Sequence, residues 1–239
     1  MAIDPSTARG NTVLAGLDEP ALAPLLPDLH ETLLSLGQVL HEPGKPIQVV
    51  YFPLVGVVSV LADLGADQVV EIATIGREGM VGISVYLGAV APTERALVQV
   101  PGRALAMSVE DLREHLADAD GPLTAQLARS AQAMFTQVAR NAACNRVHTV
   151  RQRAARWLLM TADRMDSPSF DLTQHFLAQM LAVRRTSVSE VAQSLAEDDC
   201  IVYIRGTITI TDRPRLQSHA CNCYEAIRQA TDAAMGAAR

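Results

Sequence analysis

The stretch Asp171–Leu195, DLTQHFLAQMLAVRRTSVSEVAQSL, followed by CIVYIRGTITI at Cys200–Ile210, decides how this chain is read. Thr173 is placed to cap a helix carrying Phe176, Leu177, Met180 and Leu181, because a threonine oxygen can accept from the free amides of a first turn. Ala182-Val183 then makes a tight turn, expected to keep negative φ, and a second helix starts near Arg184. Its apolar residues Val188, Val191, Ala192 and Leu195 recur at helical spacing and form one buried stripe. The other face presents Arg185, Thr186, Ser189, Glu190 and Gln193, all short or planar hydrogen-bonding groups. Two β-branched runs, Cys200–Ile204 and Thr207–Ile210, turn on Arg205-Gly206 as a hairpin. Two short helices, a polar second helix and a hairpin behind them predict a winged helix-turn-helix that reads DNA.

Working outward, Thr149 caps a helix marked by Val150, Ala154, Trp157, Leu158 and Met165, and Ser167-Pro168 breaks it. Arg153 on that helix and Arg205 on the hairpin are placed to meet backbone phosphate. Upstream, Gly121-Pro122 opens the longest helical pattern in the chain, Leu123–Asn145. Leu127, Ala131, Met134, Val138 and Asn141 alternate along it at heptad spacing, which predicts the seam of a parallel homodimer. A helix packed on its own sheet requires the same stripe. Residues 1–12 read as irregular, and the prolines between Asp18 and Leu36 suggest brief helices. From Gly37 to Met107 the pattern changes to short runs: Ile47–Phe52, Gly56–Leu61, Gln68–Ile75, Ile83–Leu87, Ala96–Val100 and Ala104–Met107. Their punctuation by glycine, proline and aspartate predicts an antiparallel barrel or sandwich. The expected class is α+β. It comprises a sensor barrel with N-terminal helices over 1–121, a dimerisation helix over 122–147 and a DNA-binding domain over 148–239.

The net charge of −6 conceals an asymmetry. Residues 1–145 carry 8 basic and 16 acidic side chains, whereas 146–215 carry 10 arginines against 8 acids. Lys45 is the single lysine, so the basic portion is entirely guanidinium, the group that pairs in bidentate fashion with phosphate and guanine. Asp198-Asp199, at the end of the second helix, would oppose nearby phosphates, and with the overall acidity they support the alternative of an effector-binding or adaptor protein that keeps the fold without binding DNA. No run of eighteen apolar residues and no basic stretch followed by an apolar one occurs, so a cytoplasmic, membrane-free protein is expected. The histidines are isolated, and no nucleophile–base or paired-histidine spacing favours an enzyme. Cys144, Cys200, Cys221 and Cys223 are too scattered for a disulfide framework. His219-Ala-Cys-Asn-Cys223 offers metal ligands, but the C-x-C spacing is short and no second cluster completes a tetrahedral site, so no metal is expected.

Specific residues go further. FLAQMLAVRRTSV (176–188) and ACNCY (220–224) resemble the C-terminal module of one branch of the Crp/Fnr regulators. GREGMVGISVYLG (76–88) and VQVPGRALAM (98–107) resemble that branch's sensor half, so the similarity runs from about 13 to 230. The resemblance implies a cyclic-nucleotide-binding-like antiparallel β-barrel of jelly-roll type, a long dimerisation helix and a C-terminal winged helix-turn-helix. It implies a homodimer on a near-palindromic duplex, with RNA polymerase as a further partner. Arg185 would read guanine, with Thr186 and Glu190 at the other base-contacting positions. Thr173, Arg184, Ser187, Ser189, Gln193 and Arg205 complete the expected interface.

The resemblance also implies an effector between barrel and helix, near Gly82, Ile83, Glu94, Arg95, Val138 and Ala139. There the chain departs from cyclic-AMP binders. Their Gly-Glu pair is Gly82-Ile83, Glu94 stands where an arginine would hold the phosphate, and the helix hydroxyls are Val138 and Ala139. A carboxylate facing a phosphate is repulsive, so the effector is expected to be something other than cyclic AMP. No cysteine precedes Cys144, which argues against the iron–sulfur cluster of the oxygen-sensing branch. His30, His41 and His115 leave haem open.

Overall fold

The computed structural model describes residues 3–65, 69–165 and 167–236. Three short helices, α1 (Pro5–Ala8), α2 (Thr12–Ala15) and α3 (Glu19–Leu22), lead through a 3-10 segment at Ala23–Asp28 into the strands. The start of the chain is anchored, contrary to expectation: Asp4 caps α1, and the buried Asn11 amide donates to the carbonyls of Pro53 and Gly79, each at 3.0 Å.

Strands β1 (His30–Leu34), β2 (Val39–His41), β3 (Val49–Asp63) and β4 (Val69–Ile75) precede the short helix α4 (Ile83–Tyr86), and β5 (Arg95–Ser108) follows it. They form one antiparallel sheet in the order β1-β5-β3-β4, with β2 also on β5. The fold class is as expected, but among the described residues the sheet does not close into a barrel. The segment expected to be helical up to Leu36 supplies β1. Gln68 lies outside the described residues. The runs read as separate strands are joined, with Pro53 and Gly56 inside β3 and Pro101-Gly102 inside β5, where the pairing register shifts. A Cβ on Gly102 would sit 2.0 Å from the Val55 carbonyl oxygen, so these residues permit a close strand crossing without ending either strand. The expected strand Ile83–Leu87 is instead α4, started by Gly82 at φ +99°.

Successive side chains point to opposite faces of the sheet. Val58 and Val60 enter one core with Ala73 and Val98, while Val57 and Leu61 join another with Trp157 and Leu158. After α5 (Val109–His115), the 26-residue α6 (Pro122–Val147) docks on the edge strand β4. Gln137 donates from Nε2 to the Thr74 carbonyl at 3.1 Å and accepts from the Thr74 amide at 2.7 Å, and the Asn141 amide donates to the Ile72 carbonyl at 3.0 Å. The side-chain amides therefore satisfy backbone groups of an edge strand.

The C-terminal part contains α7 (Val150–Ala162), β6 (Ser169–Asp171), α8 (Gln174–Met180), α9 (Arg185–Glu197), β7 (Ile201–Ile204), β8 (Thr207–Ile210) and α10 (Arg213–His219). The last helix, α11 (Cys223–Met235), turns back and packs along α6, placing Met235 in the core of the N-terminal helices. No helix among the described residues is long and apolar enough to cross a membrane.

Candidate nucleic-acid interface

Thr173 caps α8 by accepting from the Phe176 amide at 3.2 Å. The turn into α9 is tighter than expected, because Ala182 adopts φ +50°, where a Cβ is strained. Val188, Ala192 and Leu195 are buried beneath α9, and Val191 is half-buried. Arg184, Arg185, Thr186, Glu190 and Gln193 are exposed. Ser187 and Ser189 are half-buried, and the Ser189 hydroxyl donates to Gln174 at 2.7 Å, which locks the two helices together. Arg185 occupies the first turn of α9 and has no carboxylate partner among the described residues. Gln193 is tied to Glu197 at 2.9 Å.

Strands β6, β8 and β7 form the three-stranded wing sheet. Arg205 and Gly206, at φ +50° and +89°, make the two-residue turn whose twist suits a hairpin. Thr173 and Arg205 line a cleft of about 330 Å³ with Leu36 and Gly37 of the β1–β2 connection and Gln99 of β5. The outer face of α9 is thus the more open part of the module.

Two expectations are corrected here. Arg153 is buried and donates through Nη2 to the Leu181 carbonyl, so it braces the helix-turn-helix from behind and does not face phosphate. Asp198 is paired by Arg151, which also donates to Ser194 at 2.9 Å, and it lies near His219. The Arg151 hydrogen bond and charge hold its carboxyl below the usual range. Asp198 therefore reaches α9's end already compensated; only Asp199, 3.6 Å from Arg215, is largely free in solvent.

The expected dimer seam is also corrected. Leu127 is fully buried, and Ala131, Met134, Val138 and Asn141 pack on the chain's own sheet and helices. The stripe belongs to intramolecular docking. Beside it, one residue or about 100° around the helix, Ala125, Ala128, Gln132, Phe135, Ala139 and Ala142 are exposed, Phe135 to 69%. They too alternate in steps of three and four.

The expected effector residues serve local roles. Gly82 and Ile83 start α4, with Ile83 buried; Glu94 binds the Thr93 hydroxyl at 2.6 Å; and Arg95 pairs with Glu42 at 3.3 Å. Ala139 is exposed. The cavity between α6 and the sheet, lined by Thr74, Ile75, Ser130, Met134 and Gln137, measures about 20 Å³, enough for one water. A hollow of about 270 Å³ opens elsewhere, lined by Arg77, Glu78, Arg164, Tyr224 and Arg228 among others. The histidines of the sensor half are dispersed: His41 bonds the Val49 carbonyl at 2.8 Å, His115 pairs with Asp28 at 2.8 Å, and His30 is exposed.

An antiparallel sheet, a long helix and a C-terminal winged helix-turn-helix define a DNA-binding regulator fold. Residues 152–219 match the Crp-like helix-turn-helix domain. The chain thus carries that domain on the fold of the Crp/Fnr transcriptional regulators. It is similar to FixK2 from Bradyrhizobium japonicum, with a TM-score of 0.68 and 15% identity over 81% of this chain and 98% of that one. It is also similar to a putative Crp/Fnr-family regulator from Eubacterium rectale, with a TM-score of 0.66 and 13% identity over 88% and 98%. The cyclic-di-GMP-responsive regulator CLP of Xanthomonas campestris aligns with a TM-score of 0.64 and 16% identity over 82% and 100%. No curated protein matches in sequence.

Proposed function

We propose that this chain is a sequence-specific transcription regulator that binds near-palindromic duplex DNA as a homodimer, under an effector other than cyclic AMP. The outer face of α9 carries this reading: among the described residues Arg185 is exposed without an acidic partner, beside Thr186 and Glu190. An arginine so placed can pair with O6 and N7 of guanine in the major groove. The neutralisation of Asp198 by Arg151 favours DNA binding over an adaptor that has lost it. The Ala125–Ala142 stripe supports self-association, since small residues flanking one aromatic allow two helices to approach closely. Residues 1–121 serve as sensor, 122–147 as dimerisation helix and 148–239 as reading domain, with α11 as the return strap. At promoters the dimer would meet RNA polymerase.

The test is to select sites from random duplexes and compare Arg185→Ala with Arg205→Ala on the best site and on scrambled DNA. Arg185→Ala should erase most of the preference, a loss of about 1–3 kcal/mol. Arg205→Ala should weaken both duplexes alike and lower the salt slope. An Arg185→Ala protein that keeps the full preference defeats the assignment.

A further inference from the structure

The C-x-C segment does find a second cluster, on a helix end 77 residues away in sequence. Cys144 lies in the last turn of α6, and His148 is that helix's C-cap one turn further on; Cys221 and Cys223 flank the joint between α10 and α11. Their three sulfurs and one imidazole nitrogen all lie within 4.8 Å of one another. Cys144 Sγ is 3.5 Å from Cys221 Sγ, and Cys223 Sγ is 3.8 Å from His148 Nδ1. A tetrahedral zinc with Zn–S near 2.3 Å has sulfur–sulfur edges of about 3.8 Å, so the four atoms already approximate that polyhedron. The sequence led to no metal being expected, with His219, Cys221 and Cys223 as the candidate ligands weighed; in the structure His219 points to Asp198 and Arg151, and Cys144 and His148 join the two cysteines instead.

We propose that Cys144, His148, Cys221 and Cys223 bind one zinc-class divalent cation, which staples the end of α6 to the joint of α10 and α11. The surroundings fit this charge. Three thiolates and a neutral imidazole around a divalent ion carry a net charge of about −1. Arg156, 5% exposed, makes no carboxylate ion pair among the described residues. Among those residues its one hydrogen bond is to Met160 Sδ at 3.3 Å, and its Nε has no partner there. Its positive field falls on all three cysteines. Glu71 is the carboxyl its field reaches, but the two share no hydrogen bond among the described residues; a buried cation so weakly compensated is costly, and the anionic metal centre would add counter-charge. The three thiols are themselves buried and pack on each other. Neutral thiols fill such a space only weakly, whereas a metal would link four ligands from two distant segments. The staple sits where the long helix of the sensor half meets the helices that carry the reading module.

The experiment uses the full-length protein, purified under reducing, anaerobic conditions and dialysed without chelator. Elemental analysis should find close to one zinc per chain after incubation with Zn²⁺ alone. Replacement by Co²⁺ should give the intense sulfur-to-metal charge-transfer absorption of a tetrahedral thiolate site. Cys223→Ser and His148→Ala should each weaken metal affinity at least about tenfold, whereas Cys200→Ser, which removes a thiol outside the cluster, should leave it unchanged. His148 is half-buried, so its variant tests the site even if the cysteine variants misfold. Reduced wild-type protein that takes up no Zn²⁺ or Co²⁺ overturns the proposal, as does metal uptake unaffected by His148→Ala and Cys223→Ser. A Cys144–Cys221 disulfide in air from a reduced protein that bound no metal would assign the cluster to redox chemistry and overturn it equally.

Discussion

The indole Nε1 of Trp157 donates to Glu71 Oε1 at 3.1 Å, joining α7 to β4 through a carboxyl group sealed from water. Ser59 donates to the other oxygen at 2.7 Å, and its hydroxyl also lies 3.5 Å from Met180 of α8. Burial, only partly opposed by these bonds and by Arg156 and Arg164, pushes the Glu71 carboxyl up to about 7. The seam between sheet and reading module therefore contains an acid that titrates near neutrality.

This gives stability a pH slope of known sign. Between the unfolded value of 4.5 and about 7 the native protein holds a proton that the unfolded chain releases. The contribution is complete below 4.5 and is lost as pH rises through 7, about 3 kcal/mol at most. Denaturant titrations of wild type and Glu71→Gln across this range should show the slope only in wild type. Equal slopes in the two proteins would assign it to other groups.

Ala182 holds a left-handed conformation while exposed to solvent, so replacing it with glycine relieves strain without opening a cavity. The relief of about 1–2 kcal/mol is partly offset by the greater freedom of unfolded glycine. Ala182→Gly should stabilise the protein by about 0.5–1 kcal/mol and raise Tm by a degree or more. A fall in Tm would contradict the strain.

The two faces of α6 should separate in mutagenesis. Ala128→Glu with Phe135→Glu places like charges on the outer stripe; the protein should stay folded and sediment as a monomer. Leu127→Ala removes a fully buried side chain and should cost about 2–5 kcal/mol, with no direct effect on assembly. Sedimentation velocity and thermal melting together distinguish these outcomes. A dimeric outer-face variant would place the interface elsewhere.

Arg153→Ala removes a charged donor from the Leu181 carbonyl and should destabilise the fold by about 1.5–3 kcal/mol. Binding measured well below the melting range should keep the wild-type salt slope, because no phosphate contact is lost. A slope reduced by about one would return Arg153 to the DNA.

Much of the reading module was legible because its signals are local. Thr149 and Thr173 cap as their positions suggest, the Val188–Leu195 stripe is largely buried, and Arg205-Gly206 turns the hairpin. The orientation of α6 was not legible. Leu127–Met134–Asn141 and Ala128–Phe135–Ala142 both satisfy heptad spacing, and the choice is made by Gln137 and Asn141 reaching the β4 backbone. Proline and glycine within β3 and β5 looked like strand breaks because a bulge and a turn use the same residues. The four-ligand cluster was invisible for a similar reason: Cys144 and Cys221 become neighbours only when α11 folds back along α6.

That return of α11 also bears on how the protein is made. Met235 packs in the same core as Ala8, Leu14, Leu22 and Phe52, so a hydrophobic nucleus that draws on α1 and α3 is completed by a residue translated well after them. Domains usually fold as units in the order of translation. Here the core that the sheet shares with α1 and α3 keeps one side uncovered until α11 has been made and packs along α6.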